Sequence, residues 1–183
     1  MLAKFIYKHV LEKALRKYRN GSYMEIGSFD GEGISSISKR HPERAFYSID
    51  PFIEDGNTTQ KTNKKRGQKI DDIRAKFVAN TRKRKNIVNF DMTTKQFIDK
   101  KLYVDMNVSV LFIDGDHTYK SVLLDLSLAS LLATNNKVCV VMDDVSHSGV
   151  KRAIAKFRET NTITKVHYMN LHPAVQYEIF NKS

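Results

Sequence analysis

Short β-type runs alternate with helical patterns along this chain, and that alternation leaves few folds open. "SYMEI", "AFYSI", "NIVNF", "VSVLFI", "KVCVVM", "TKVHYM" and "VQYEIF" are rich in Val, Ile, Phe or Tyr. Helical patterns separate the first six. After Gly33, "ISSISKR" reads as a short helix. "IDDIRAKFVANTRKR" sets Ile70, Ile73 and Phe77 on one face, and "TTKQFIDKK" is a brief helix capped by Thr93 or Thr94. "YKSVLLDLSLASLLA" is a strongly apolar helix, and "SGVKRAIAKFRE" brings Val150, Ala153, Ile154 and Phe157 into register. Strand–helix alternation implies a parallel sheet covered on both faces. Only a loop containing Pro173 separates the last two runs, so they predict a hairpin. The expected fold is α/β and doubly wound: a mostly parallel, seven-stranded sheet with a C-terminal antiparallel hairpin.

With 183 residues and 41% hydrophobic content, the chain fits one domain over 1–183. Residues 1–20 place Phe5, Ile6, Val10, Leu11, Leu15 and Tyr18 at helical spacing between charged residues. That predicts an amphipathic helix packed on the domain. No apolar run approaches the ~18 residues of a membrane span. The single cysteine, Cys139, lies in a strand-type run, which suits a reducing, intracellular (cytoplasmic) setting.

The first strand leads into "MEIGSFDGEG", residues 24–33. In open α/β sheets, ligands bind beyond the carboxyl ends of the strands, where this loop lies. A Walker loop closes on Gly-Lys-Ser/Thr, which is absent. The glycines Gly27, Gly31 and Gly33 read G-x-x-x-G-x-G, not the G-x-G-x-x-G of a dinucleotide fingerprint, and Phe29 obstructs a pyrophosphate. Glu25 repels a polyphosphate and welcomes a cation. Asp50 ends the second strand, where an acid accepts both hydroxyls of a ribose. Asp91 ends the third, within reach of a base edge. A positively charged nucleoside without phosphate fits these residues, and S-adenosylmethionine has that character.

Through "MEIGSFDGEG", "YSIDPF", "LFIDGDHTYKSVLLDL" and "VVMDDVSHSGVKRAIAKF", the chain resembles class I S-adenosylmethionine-dependent methyltransferases. The resemblance covers nearly the whole chain. It is closest to the macrocin/cephalosporin-tailoring O-methyltransferases, with a relation to the catechol and caffeoyl-CoA enzymes. It implies that the loop from Glu25 through Gly27, Ser28 and Gly31 to Gly33 wraps the methionine part of the cofactor. It also implies that Asp50 holds the ribose, that Asp91 lies near the adenine, and that Asp114 borders the cofactor.

Asp114 and Asp116 end the fourth strand, and Asp143 and Asp144 end the fifth. Four carboxylates at one sheet edge repel one another and raise their pKa values. A hard divalent cation such as Mg²⁺ resolves that conflict. The resemblance implies Asp114, Asp143 and Asp144 as its ligands. The alternative is that Asp116 and Asp144 cap helices while Lys120 or Lys151 pairs with the others. His117 occupies the position where the catechol and caffeoyl-CoA enzymes carry a proton-accepting lysine. Histidine, with an ordinary pKa near ~6.5, serves as a base at neutral pH. His147 is a weaker candidate, while His9, His41, His167 and His172 have no supporting neighbours. The expected reaction is O-methylation of a hydroxyl on a sugar or aromatic small molecule, with His117 and Asp114 catalytic.

The formal charge is +11, concentrated in "KTNKKRGQK" (61–69) and "RKRK" (82–85). The second run is expected at the amino edge of the sheet, away from the site, where cations suit helix C-termini. The first lies beside 51–68, a connection long enough to be a mobile lid. The charge admits a nucleic-acid methyltransferase, but no RNA- or DNA-binding module is recognisable, so that reading is not favoured. A non-catalytic scaffold with a methyltransferase fold is the other rival. The sequence leaves homo-oligomerisation open.

Overall fold

The computed structural model describes residues 3–52, 70–133, 137–160, 162–168 and 175–180. The expected lid over 51–68 therefore lies outside the described residues beyond Phe52, as do the basic run 61–69 and the Pro173 loop.

Among the described residues, six helices and seven strands follow one another. They are α1 (Ala3–Lys17), β1 (Ser22–Ile26), α2 (Glu32–Ser38), β2 (Phe46–Ile49), α3 (Ile70–Thr81), β3 (Ile87–Phe90) and α4 (Thr94–Asp99). Then come β4 (Val108–Ile113), α5 (Tyr119–Leu132), β5 (Val138–Met142), α6 (Ser148–Thr160), β6 (Thr162–Tyr168) and β7 (Val175–Phe180). The parallel part of the sheet is the five strands β3-β2-β1-β4-β5. β7 pairs antiparallel with β5, and β6 antiparallel with β7, so the full order is β3-β2-β1-β4-β5-β7-β6.

Every residue of β1, β4 and β5 is buried, as a sheet covered on both faces requires. Alternate side chains enter two separate cores. Met24, Ile26, Leu111, Ile113 and Val140 pack with Phe97, Leu126 and Phe157 from α4, α5 and α6. Tyr23, Val110, Phe112 and Val141 pack with Leu11, Ile34 and Phe77 from α1, α2 and α3. The predicted α6 stripe is the one that is buried: Val150, Ala153, Ile154 and Phe157 are all 7% exposed or less. Cys139 is buried in β5.

The helix predicted through residue 84 ends at Thr81. Arg84 N–H instead bonds the Thr81 carbonyl in a turn that feeds β3. Thr93 caps α4 with a reciprocal bond to Gln96, and Thr118 caps α5 through Ser121 N–H. At the amino edge, Arg44 is buried and its Nη2 donates to the carbonyls of Leu15, Tyr18 and Arg19 at 2.8–3.1 Å. It thereby satisfies one terminal carbonyl of α1, which has no helical partner, and two in the connection that follows. No helix among the described residues is long and apolar enough to cross a membrane.

Candidate active site

Parallel pairing brings the strand ends level. Ile26 is in register with Ile49 and Ile113, Ile49 with Phe90, and Ile113 with Met142. The next residue on each strand is therefore in one row: Gly27, Asp50, Asp91, Asp114 and Asp143. Backbone bonds extend the ladder into this row, from Gly27 to Ile49, Asp50 to Phe90, Asp114 to Ile26 and Asp143 to Ile113. The expected rim of acids is thus built by register, not by flexible loops.

Glu25 lies two residues inside the rim on β1 and is buried. Burial pushes its pKa from 4.5 to about 7, and the charges of Asp114 and Asp50 add to the rise. Tyr23 Oη lies 2.5 Å from Glu25 Oε2, and hydrogen bonds from Tyr23 and Ser28 oppose the shift. Ser28 is buried and accepts a bond from Ser48 Oγ at 2.8 Å.

Asp50 organises the glycine loop. Its two oxygens accept the N–H groups of Phe29 and Phe52, both at 2.9 Å. Both phenylalanines have positive φ, 50° and 46°, a conformation costly for a bulky residue. The two bonds to Asp50 offset that strain. Burial holds the Asp50 pKa above its usual range. A carboxylate has about four lone-pair sites, so each oxygen keeps one for a further donor.

Gly27 has φ 85°, and a Cβ there would lie 2.4 Å from the Asp114 carbonyl oxygen. No side chain fits that gap. Gly27→Ala is expected to destabilise the protein by roughly 3 kcal/mol or more, from backbone strain plus displacement of the Asp114 segment. Chemical denaturation monitored by circular dichroism checks this. Gly31 caps α2 in the left-handed region, and Gly33 lies in that helix's first turn.

The other acids divide. Asp91 is exposed, ion-paired with Arg74 and bonded by Asn89. Asp116 is committed to the start of α5, accepting from Thr118 N–H, Thr118 Oγ1 and Ser121 Oγ. The cap itself is Thr118, so Asp116 braces the capping residue and does not cap the helix as expected. Asp143 Oδ1 accepts Asp144 N–H at 2.7 Å. The groups that converge are Asp114, His117 and Asp144, whose donor atoms lie within 4.8 Å of one another.

His117 Nε2 sits 3.3 Å from Asp144 Oδ2 and 3.9 Å from Asp114 Oδ1. It is shielded from solvent and makes no hydrogen bond. Asp114 and Asp144 hold its pKa above the ordinary histidine value, against burial. The His147 ring packs 5.0 Å away, centroid to centroid.

Two site residues escaped the sequence reading. Gly149 lets α6 start against the His117 backbone, since a Cβ there would lie 2.2 Å from the His117 carbonyl oxygen. A glycine in a helix's first turn, where it costs stability, was the available signal. Asp125 is buried in α5 with its pKa pushed from 3.8 to about 7, by burial above all. It accepts Thr94 Oγ1 at 2.7 Å and ties α4 to α5 behind Gly115. Within an apolar helical run it carried no pattern of its own.

A family model described as a methyltransferase domain matches residues 24–145, from Met24 in β1 to Val145 beyond β5. The chain belongs to the methyltransferase domain family. That membership supports S-adenosylmethionine as the cofactor and the class I assignment. Uncharacterized protein R132 of Acanthamoeba polyphaga mimivirus is 26% identical over 125 residues, 67% of this chain and 52% of that protein. The methyltransferase thus spans about half the length of this curated relative. Among solved structures, apo CalS11, a TDP-rhamnose 3'-O-methyltransferase of calicheamicin biosynthesis, is similar with TM-score 0.64 and 14% identity. It covers 99% of this chain and 80% of that one. A putative caffeoyl-CoA O-methyltransferase from Staphylococcus aureus has TM-score 0.62 and 13% identity, over 96% of this chain and 83% of that one. At these identities the likeness establishes the Rossmann-like fold.

Proposed function

We propose that this methyltransferase acts on a hydroxyl of a small molecule, a sugar or an aromatic compound, as in the macrocin/cephalosporin-tailoring type. The reading takes residues 1–183 as one catalytic unit. The observation that carries it is His117 Nε2, buried without a hydrogen bond between the Asp114 and Asp144 carboxylates. An acceptor hydroxyl placed there would find a partner for its proton.

S-adenosylmethionine supplies a methyl group on a sulfonium, an activated carbon that needs only an aligned nucleophile. Glu25 draws the cofactor's positive end, Ser28 and the Gly27–Gly33 loop wrap it, and Asp50 offers its remaining lone pairs to ribose hydroxyls. Asp91 borders the adenine side with Arg74. His117 accepts the hydroxyl proton, and the two flanking carboxylates stabilise the imidazolium. Alignment by the rim contributes the rest.

Asp114, His117 and Asp144 also suit a divalent ion. Their donor atoms converge, two are hard carboxylate oxygens, and the third is an imidazole nitrogen held beside them by ion pairing alone. Asp114 and Asp144 would hold the ion, with Asp143 beside them, and such an ion makes a bound hydroxyl more acidic.

The deciding experiment is a screen of hydroxylated acceptors with labelled S-adenosylmethionine, with and without Mg²⁺. No methylated product, together with no calorimetric binding of the cofactor, would end this reading. His117→Gln separates two uses of one nitrogen. Turnover is expected to fall 10²–10⁴-fold with metal affinity unchanged, as loss of a general base does. Loss of metal affinity measured by titration would instead make His117 a ligand.

A further inference from the structure

Among the described residues, acids and exposed cations gather at opposite edges of the sheet. The carboxyl edge carries the rim of acids described above. The opposite, amino edge is made of the connections that precede β3, β2, β1 and β4, which lie side by side because those strands are neighbours. Hydrogen bonds stitch these connections together. Asn86 donates to the carbonyls of His41 and Arg44 at 3.2 and 3.0 Å, Tyr23 N–H bonds Ala45 and Ser22 N–H bonds Asn107. Each connection presents an exposed cation: Lys83 and Lys85 before β3, Lys39 before β2, Arg19 before β1 and Lys101 before β4. The acids in the same connections are Glu43 and Asp105, while Asp99, at the end of α4, is held by Lys95.

Helix macrodipoles explain only part of this row. They favour cations within the last turn of a helix. Lys39 sits at such a place, as the C-cap of α2. Lys85 lies beyond the end of α3 at Thr81, and Arg19 beyond the end of α1 at Lys17. Four neighbouring connections at the ~4.8 Å spacing of strands make a ridge roughly 14 Å long. That length spans about four base-pair steps of a duplex, at ~3.4 Å of axis each. A lipid surface fits less well. The large exposed apolar side chains among the described residues are Val78, Val88 and Val104, with no aromatic among them to enter a bilayer interface.

We propose that the amino edge is a sequence-independent binding surface for the phosphate backbone of nucleic acid. Phosphates are repelled from the acidic rim and attracted to this ridge. The two edges are separated by the length of β4, roughly 20 Å at ~3.3 Å per residue. Nucleic acid bound here is a tether or location signal, not the methyl acceptor.

Fluorescence anisotropy with a labelled 24-base-pair duplex tests this on the full chain. Binding is expected at 50 mM salt, with a log–log salt slope near −4 and about a hundredfold loss by 200 mM. Lys83→Gln with Lys85→Gln should weaken binding about tenfold or more and flatten the slope by about 2. Arg84 is left in place because its Nε bonds Ser35 Oγ. A matched control, Lys120→Gln with Lys151→Gln, removes two exposed cations near helix starts on the opposite edge and should leave the slope and affinity nearly unchanged. No duplex binding at 50 mM salt would overturn the proposal. Equal weakening by both pairs would also overturn it, because net charge alone would then explain binding. So would tighter binding to phosphatidylserine vesicles than to duplex. Calorimetry with S-adenosylmethionine, run on the same variants, should be unaltered, so failure of this surface stays distinct from failure of the methyltransferase reading.

Discussion

Asp114→Asn is expected to cut methyl transfer about a thousandfold while leaving S-adenosylmethionine affinity within a few-fold of the unaltered protein. The substitution is nearly isosteric, and the backbone around it is held independently of the side chain. Asp114 N–H bonds Ile26, and its carbonyl packs against Gly27 with no room between them. What changes is one charge. That charge, with Asp144, raises the His117 pKa, so the imidazolium formed by taking a proton loses stabilisation. Loss of a general base's support typically costs 10²–10⁴-fold. The same carboxylate is one of three converging donors for an ion, so Mg²⁺ affinity should fall as well. Cofactor binding should survive, because the Asp114 charge opposes ionisation of Glu25 and its removal relieves that opposition. Labelled-cofactor assays and calorimetry on one preparation check both halves. Full activity of Asp114→Asn in the presence of a chelator would remove the rim from the chemistry.

The rim was legible because it depends on a simple rule. Register in a parallel sheet places the residue after each strand in one row, and four of those residues are acids that follow recognisable β-type runs. Helices were legible where apolar spacing was regular, as in α6, whose predicted stripe is buried. What could not be read was the partner each polar group would choose. Asp116 and Asp143 belong to the same two acidic pairs as Asp114 and Asp144, yet Asp116 is committed to Thr118 and Ser121 and Asp143 bonds the next N–H. Such choices depend on loop torsions of a few residues, including the positive φ of Asp144 at 48°. Composition and period do not encode those torsions. Arg44 was invisible for a related reason: it ties down the end of α1 and the connection after it through three carbonyls 25 to 29 residues away in sequence.

Glu25→Gln should nearly abolish S-adenosylmethionine binding at pH 8 and, at the same pH, make the protein more stable. Both effects come from one buried carboxyl with a pKa near 7 in the folded chain, against 4.5 for the free group. The folded value is raised, so the folded state favours the protonated form. As pH rises from 4.5, the unfolded chain releases this proton while the folded chain keeps it, and stability falls until the folded group also ionises near pH 7. The loss is complete above that point and amounts to about 3 kcal/mol at most. Glutamine keeps an oxygen for Tyr23 and carries no charge, so the variant should unfold at a higher temperature than the parent at pH 8 and show little gain at pH 4.5.

Cofactor binding runs the other way. A positively charged ligand binds the ionised form, so wild-type affinity should drop about tenfold between pH 8 and pH 6 as Glu25 protonates. Binding near pH 7 should release a fraction of a proton, visible as a dependence of calorimetric heat on the buffer's ionisation enthalpy. Glu25→Gln should show neither the pH dependence nor the proton release. The stability arm and the binding arm are independent readings of the same carboxyl. If the variant bound S-adenosylmethionine with wild-type affinity at pH 8, Glu25 would be a stored strain without a ligand to relieve it, and the cofactor would have to be held from the Asp50 side alone.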